Sequence, residues 1–112
     1  MELKFRIQGK ICIIYPVGNL AGDKSSKFLS FTNSFLSKEH VDVIVVNLQE
    51  VEVIDSSGIG AIFAVYKTAA TKTKEFSICQ LSPYLLSTLT SMGLNNILQV
   101  FKTEDEAILD LT

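Results

Sequence analysis

The 112-residue sequence has no tryptophan, two prolines, two cysteines and one histidine, and its apolar runs are short. The longest of them, residues 43–46 and 61–66, fall far short of the roughly 20 residues that cross a bilayer. The first residues alternate apolar and charged side chains, unlike the continuous apolar segment of a signal peptide. We therefore expect a cytoplasmic protein that does not associate with membranes.

The few cysteine and histidine side chains limit metal and redox chemistry. Cys12 and Cys79 each lie inside an apolar run, and we interpret them as small hydrophobic residues in neighbouring strands of a reduced protein rather than as a disulfide. His40 is predicted to lie in a surface loop between a helix and a strand, away from a nucleophile and an orienting acid. No pair of His or Cys ligands has the spacing of a metal site, so we predict no metal and no cofactor.

Basic residues are scattered instead of clustered. The sequence has 10 basic and 12 acidic residues, for a formal net charge of −2. Lys67, Lys72 and Lys74 are scattered, and we interpret them as a solvated helix end. Since nucleic-acid-binding domains present a basic patch or stripe, we predict no nucleic-acid partner.

Motifs typical of enzymes are also missing. Gly58-Ile59-Gly60 begins like a dinucleotide-binding loop, but Phe63 occupies the position of the third glycine. Ser57 is preceded two residues earlier by Asp55, where a nucleophile elbow requires glycine. We therefore predict that the protein is not an enzyme. A small hydrolase that uses Ser57 stays an alternative, which the absence of a burst with activated esters would exclude.

Two hydrophobic periodicities divide the chain into strands and helices. Alternation predicts a hairpin of strands at residues 3–7 and 11–15, with residues 16–19 breaking the pattern. The continuous run at 43–48 predicts a central strand covered on both faces, and further strands are predicted at 76–81 and 98–101. Four helices are predicted to begin at Asp23 as an N-cap, at Ser57, at Ser82-Pro83 and at the capping box of Thr103. Gly93 is predicted to end the third helix, and the fourth is predicted to end at Leu111.

The helical segments have apolar stripes that predict their buried faces. The predicted stripes consist of Phe28, Phe31, Thr32 and Phe35, with Leu29 and Leu36; of Ile59, Ile62, Phe63, Tyr66 and Ala70; and of Leu85, Leu86, Leu89 and Met92. The order ββαβαβαβα predicts one α/β domain over residues 1–112. Its sheet is predicted to be mostly parallel, with four to five strands, an N-terminal antiparallel edge hairpin and about four helices.

The segment Asp55-Ser56-Ser57-Gly58-Ile59-Gly60 follows the central strand, where loops of open α/β sheets bind ligands and partners. Glycines allow close backbone approach, and hydroxyl side chains can cap free N–H groups. One interpretation is that the acid and the serines only cap the next helix. The other is that one hydroxyl caps while its neighbour points outward for a partner.

The stretch from Asn47 to Gly60 resembles the strand-loop-helix of the STAS family, specifically of bacterial anti-sigma-factor antagonists. In those proteins an apolar strand runs into Asp-Ser-Ser-Gly-Leu-Gly, and here the segment reads Asp-Ser-Ser-Gly-Ile-Gly. The resemblance extends over the whole chain, through Leu81-Ser82-Pro83, residues 89–94 and the ending at residues 101–107. It implies the same element order.

The resemblance implies that Ser56 is phosphorylated and that a partner binds around it. The implied partner-binding residues are Asp55, Ser56, Ser57, Gly58, Ile59, Gly60 and Asp23. The implied partners are a serine-kinase anti-sigma factor, bound in the unphosphorylated form, and a metal-dependent serine phosphatase that removes the phosphate. The family's frequent Gly-Glu-Leu-Asp loop reads Gly18-Asn19-Leu20-Ala21 here, without either acid, although Asp23 is nearby. The glycine pair that commonly precedes the fourth strand is also absent from residues 71–75.

An alternative within the same family is a module with other partners. Such a chain would act as a subunit of a larger signalling scaffold or as an accessory to a lipid-transport ATPase. Its fold would be identical, and Ser56 would not need to be modified.

Overall fold

The computed structural model describes residues 1–110, which contain five strands and four α-helices. They follow one another as β1 (Glu2–Gln8), β2 (Ile11–Val17), α1 (Asp23–Leu36), β3 (Val43–Asn47), α2 (Ser56–Thr71), β4 (Glu75–Cys79), α3 (Pro83–Ser91), a 3-10 turn (Leu94–Asn96), β5 (Gln99–Phe101) and α4 (Glu104–Asp110). The predicted end of the last helix at Leu111 lies outside the described residues. Among the described helices, none combines the length and the apolar character needed to cross a membrane.

The strands form one sheet in the order β1-β2-β3-β4-β5. β1 and β2 are antiparallel, and every other neighbouring pair is parallel. The predicted fold class, a mostly parallel sheet with an antiparallel edge hairpin, is therefore confirmed. All five residues of β3 are buried, which explains its uninterrupted apolar sequence because both faces of a central parallel strand are covered.

Alternate residues of the strands pack into two separate layers. On one face, Ile44 and Val46 join a large core with Phe28 of α1 and Ile62 of α2. The other face has a smaller core, in which strand residues pack against Ala107 of α4. The first three helices thus cover one face of the sheet, and α4 covers part of the other.

The two cysteines are buried and free, as expected of hydrophobic residues in strands. Their predicted placement in neighbouring strands is wrong, because Cys12 lies in β2, Cys79 lies in β4, and β3 runs between them. Burial raises the pKa of Cys12 to about 11 and that of Cys79 to about 12. Both thiols are therefore protonated and unreactive at neutral pH.

The second strand is longer than predicted, since Pro16 and Val17 continue it instead of breaking it. Pro16 pairs with Leu3 of β1, and the last paired residue of β2 facing β3 is Ile14. A proline at this point therefore interrupts no described pair with β3, which is why the strand tolerates it.

Three predicted helix features are corrected by the structure. Gly22, not Asp23, is the N-cap of α1, and Asp23 is its first residue. The buried face of α2 is centred on Ala61, Ile62, Val65 and Ala69. The predicted apolar stripe of α2 therefore lies about one residue further along the helix than the face that is buried. In α3 only Leu85 and Leu89 are buried, whereas Leu86 and Met92 are exposed. The predicted ends at Pro83 and Gly93 are confirmed, Gly93 having a φ of 73°.

The prediction that Lys74 belongs to a solvated helix end is wrong. The ammonium group of Lys74 donates hydrogen bonds of 2.7 Å to the carbonyl oxygens of Leu36 and Lys38. These are among the last carbonyls of α1 and the turn that follows, where a cation is favoured by the helix dipole. His40 lies exposed in that same turn, as predicted.

Candidate functional site

Two loops at the carboxyl ends of the parallel strands are bonded to each other and form the base of the site. Leu20, after β2, donates its N–H to the carbonyl of Val53 (2.9 Å) and accepts one from Asp55 (3.3 Å). Gly18 donates to the carbonyl of Glu50 at 3.0 Å. Residues 18–22 and 48–55 therefore form one unit, which fixes the start of α2 relative to the start of α1.

Asp55 caps α2 and also connects it to α1. Its Oδ1 accepts the N–H of Gly58 at 2.9 Å and the hydroxyl of Ser57 at 2.5 Å. Its Oδ2 accepts the N–H of Gly22, the N-cap residue of α1, at 3.2 Å. One carboxylate thus satisfies donors at the beginnings of two helices, where free N–H groups and the helix dipole favour negative charge.

These hydrogen bonds make the folded state favour ionised Asp55. The hydroxyl of Ser57 contributes most, followed by the N–H of Gly58, and together they hold the pKa of Asp55 below its ordinary value of 3.8. A group whose pKa falls on folding stabilises the fold fully above its ordinary pKa, and this contribution fades as pH drops through the lowered value.

We therefore expect Asp55→Ala to be destabilising at pH 7 and to lose part of that effect at an acidic pH below 3.8, as the pH approaches the lowered pKa of Asp55. The reason is that protonation removes the capping charge from the wild type as well. Urea midpoints of both proteins at the two pH values measure the difference. Glu52→Ala, in the same loop and exposed, serves as the control. If the urea midpoint of Asp55→Ala lay equally far below that of the wild type at both pH values, this account would be contradicted.

The hydroxyl of Ser57 is turned into the molecule. Its Oγ accepts the N–H of Gly22 at 3.0 Å, donates to Asp55, and lies 2.9 Å from Oγ of Ser25. Ser25 is itself buried, with 4% of its surface exposed. Ser57 therefore helps to connect the start of α1 to the start of α2. We call this hydrogen-bonded group of Gly22, Ser25, Asp55 and Ser57 the joint between the two helices.

Ser56 differs from Ser57 in its hydrogen bonding, although both residues are exposed. It is the first residue of α2 and is exposed. Its hydroxyl forms no hydrogen bond with any other residue in the described part of the chain. Of the two interpretations of the motif, the one in which a serine caps the helix while its neighbour points outward is corrected in one respect. The cap of α2 is Asp55, which accepts the N–H of Gly58; Ser57 donates to Asp55, and Ser56 is exposed.

The two glycines of the motif are in different situations. Gly58 is buried, and a methyl group there would overlap the carbonyl oxygen of Leu20 and lie 2.8 Å from Cγ2 of Ile54. Gly60 is exposed, and a methyl group there would meet nothing within 4 Å. The close backbone approach predicted for these glycines occurs at Gly58, but the approaching backbone belongs to this chain.

We expect Gly58→Ala to destabilise the protein by about 3 kcal/mol or more, because the added methyl group must displace the Leu20 backbone or α2. The melting temperature should fall by about 10 °C or more. Gly60→Ala is the matched control, and it should gain about 0.5 to 1 kcal/mol through higher helix propensity. Thermal unfolding followed by circular dichroism measures both. Equal stability of the two variants would show that the Leu20 contact is not tight.

The other predicted site residues lie around this joint. Ile59 is half-buried, and Asp23 is exposed beside Gly22, whose N–H binds Asp55 and Ser57. Asn19 and Ala21, at the positions where acids are missing, lie in the loop that carries Leu20; Asn19 is exposed and Ala21 half-buried. The structure thus brings all the predicted positions together at one end of the sheet.

Comparison with known proteins assigns the family. The family model described as the STAS domain matches residues 2–107. The chain belongs to the STAS domain family. A curated relative, the anti-sigma F factor antagonist of Paenibacillus polymyxa, is 29% identical over 111 residues, which cover 99% of this chain and 95% of the relative.

Solved structures share the fold of this STAS domain. A putative anti-sigma factor antagonist from Thermotoga maritima has a TM-score of 0.90 at 22% identity, covering 96% of this chain and 92% of that one. The anti-sigma factor antagonist SpoIIAA in its unphosphorylated form has a TM-score of 0.81 at 18% identity, with coverage of 98% and 96%. Bacillus SpoIIAA in its phosphorylated form has a TM-score of 0.76 at 18% identity, with coverage of 99% and 100%.

A polar cluster on the opposite face of this STAS domain was not predicted from the sequence. Glu104 of α4 accepts hydrogen bonds from Asn47 of β3 (3.0 Å) and from Arg6 of β1 (2.9 Å). Its backbone N–H donates to the side chain of Gln80 at 3.1 Å. Burial opposes the ionisation of Glu104, but bonds from Asn47, Tyr15 and Arg6 outweigh it and hold its pKa below the ordinary value of 4.5.

The cluster attaches α4 to the end of the strand that leads into the Asp55 loop. Asn47 is buried, and its Oδ1 accepts the N–H of Gln49 at the first turn of that loop. The sequence gives one local indication of this cluster, which is that the polar residue Asn47 ends the buried apolar run of β3. Because the partner Glu104 lies 57 positions away, local pattern analysis could not find the pair.

Proposed function

We propose that this STAS domain is an anti-sigma factor antagonist whose partner binding is controlled by phosphorylation of Ser56. In the unphosphorylated form it binds a serine-kinase anti-sigma factor and frees the sigma factor. The kinase phosphorylates Ser56, and a metal-dependent serine phosphatase removes the phosphate. The observation that carries the proposal is the contrast between two adjacent exposed serines. Within residues 1–110 the hydroxyl of Ser56 forms no hydrogen bond, whereas that of Ser57 is bonded to Gly22, Ser25 and Asp55.

A kinase needs a hydroxyl that can leave its surroundings and enter the kinase active site. Ser56 meets that need, because its side chain is exposed and has no hydrogen bond to break among residues 1–110. Ser57 does not, because phosphorylation there would disrupt its bonds to Gly22, Ser25 and Asp55. The geometry therefore supports Ser56 as the modified residue.

The surface around Ser56 suits a protein partner. Asp23, Ser56 and Gly60 are exposed, and Ile59 is half-buried. The backbone bonds between residues 18–22 and 48–55 hold this surface in place before a partner arrives, and a preorganised surface loses little conformational entropy on binding. Gly58 contributes because the absence of a side chain there allows the backbone of Leu20 to pack against the start of α2.

The relatives support the same class of function. The Paenibacillus polymyxa relative, which spans the whole chain, is an anti-sigma F factor antagonist. SpoIIAA, which shares the fold, occurs in a phosphorylated and an unphosphorylated form. We infer that the chain acts as a binding module and not as an enzyme, because its relatives are anti-sigma factor antagonists and the hydrogen-bonded hydroxyl of the motif, Ser57, is used in joining α1 to α2.

Affinity purification from the cells that make the protein tests this proposal. With the unphosphorylated chain as bait, we expect an ATPase of the histidine-kinase type to be retained, and intact mass of the native protein should show a single phosphate. The Ser56→Asp bait should retain much less of that ATPase. Retention of a transporter component or of a large signalling scaffold, with no phosphate on the native protein, would instead favour the other STAS functions.

A further inference from the structure

The strand β1 has a long free edge. Its seven residues all pair with β2, with no bulge, and within residues 1–110 nothing pairs with its other side. The opposite edge strand, β5, has three residues. A long, regular edge of unpaired N–H and C=O groups is a template for another strand, unless proline, a bulge, charged side chains or a covering segment block it. β1 has no proline and no bulge, but it carries charged side chains, so an added strand must offer charges that complement them.

The side chains of β1 that face α1 are apolar and incompletely covered. Phe5 packs against Phe35 and Phe31, with ring centroids 4.8 and 6.1 Å apart, yet it is 51% exposed. Ile7 is 40% exposed, and Leu3 is half-buried. A second strand beside β1 would extend the sheet and cover this apolar row.

The other face of β1 carries Glu2, Lys4 and Arg6, whose charges select the added strand. We propose that it is β1 of a second copy of this chain, antiparallel, with Lys4 opposite Lys4 at the two-fold axis. Leu3 then lies opposite the second copy's Phe5, and Glu2 lies opposite the second copy's Arg6. The Leu3–Phe5 and Glu2–Arg6 pairs each occur twice, and the Lys4–Lys4 pair on the axis occurs once, as an isologous interface requires.

Charge complementarity and the length of the pairing together distinguish this register from its neighbours. A shift that places Leu3 opposite Leu3 also gives two attractive pairs, between Glu2 and the second copy's Lys4, but it pairs only residues 1–5 and leaves Ile7 uncovered, whereas the proposed register pairs residues 1–7. A shift that places Phe5 opposite Phe5 sets Lys4 against the second copy's Arg6 twice and leaves Glu2 without a basic neighbour. A shift by one residue brings charged side chains to the apolar face. The proposed register has two attractive Glu2–Arg6 pairs against one Lys4–Lys4 pair, and opposite charges across strands are stabilising. Glu2 would add a second carboxylate to an Arg6 guanidinium that already binds Glu104 at 2.9 Å.

The pairing is compatible with the proposed function because it uses a different part of the sheet. β2 lies between β1 and β3, and the Asp55 loop follows β3. Ser56 therefore stays exposed in both copies.

Single-cysteine crosslinking tests the register directly. Residues directly opposite in antiparallel strands have Cβ atoms about 4.5 to 5.5 Å apart, close enough for a disulfide after small adjustments, whereas diagonal neighbours are too far apart. Under mild oxidation Lys4→Cys should convert mostly to a covalent dimer, and Phe5→Cys and Lys10→Cys should stay monomeric. The native cysteines are buried and do not interfere. Crosslinking of Phe5→Cys in place of Lys4→Cys would overturn the register.

Sedimentation of the unmodified protein tests the dimer itself. The mass should rise with concentration from 12.4 kDa towards twice that value. Ile7→Lys, which places a charge in the apolar row, should weaken association at least tenfold, while Ile97→Lys, at a residue 46% exposed outside β1, should leave it unchanged. A wild-type protein that stays monomeric at every concentration would overturn the proposal.

Discussion

Ser56→Ala is expected to abolish phosphate incorporation by the cognate kinase, whereas Ser57→Ala is expected to retain it. The two hydroxyls are adjacent in sequence but differ in their surroundings. Ser56 is exposed and unbonded within the described residues, and Ser57 is held by Gly22, Ser25 and Asp55. Only the first can transfer its proton and accept a phosphoryl group without breaking the joint between the helices.

The measurement is incorporation of labelled phosphate by the purified kinase, with the modified residue mapped by peptide mass spectrometry. Ser57→Ala removes three hydrogen bonds near Asp55, so its phosphorylation is expected to be slower but still to reach the wild-type end point. Circular dichroism of each variant checks that the fold is intact. Phosphate mapped to Ser57 or to another residue in the wild type would refute the assignment of Ser56.

Much of the fold was predictable because the decisive signals are local. The uninterrupted apolar run of β3 reports a strand buried on both faces, and the alternation in β1 reports an edge strand with one wet face. Ser82-Pro83 and Gly93 mark helix ends through backbone chemistry that needs no tertiary information. These features led to the correct order of the elements along the chain and to the correct mixture of one antiparallel hairpin with parallel strands.

What sequence reasoning missed depends on residues that are far apart in the chain. Asp23 was predicted to be the N-cap of α1, but it is the first residue of that helix, and the N–H of the N-cap residue Gly22 is bound by Asp55 and Ser57, which lie 33 and 35 positions away. Lys74 was placed in solvent, yet it binds the end of α1 from 36 to 38 positions away. No periodicity contains such contacts.

The candidate site was only partly predictable for the same reason. The motif indicated where a hydroxyl would be presented, but not which role each residue has. The structure shows that Asp55, Ser57 and Gly58 hold the joint, and that Ser56 lies on its outer side. The same arrangement fixes the joint and presents Ser56. Asp55 is bonded to Ser57 and Gly58, and these bonds do not involve the hydroxyl of Ser56.

A phosphate on Ser56 is expected to lower the affinity for the anti-sigma partner by more than a hundredfold while leaving the fold unchanged. It adds a charge of about −1.5 to −2 at the first residue of α2. A helix N-terminus favours negative charge, so the free domain accommodates the group in contact with water. In a complex the same group must lose water beside the Asp55 carboxylate, and a cost of about 3 to 4 kcal/mol corresponds to the expected loss of binding.

Titration calorimetry with the unphosphorylated and phosphorylated proteins measures the affinity, and thermal unfolding measures the fold. Ser56→Asp should weaken binding in the same direction but less, because it carries a smaller charge. Ser87→Asp, at an exposed serine of α3, adds the same charge away from the Asp55 loop and should bind like the wild type. If phosphorylation also lowered the melting temperature by more than about 10 °C, the loss of binding would reflect unfolding. Equal affinities for both forms would show that the partner does not contact Ser56. A phosphate that lost its water in an interface would change the free energy of binding.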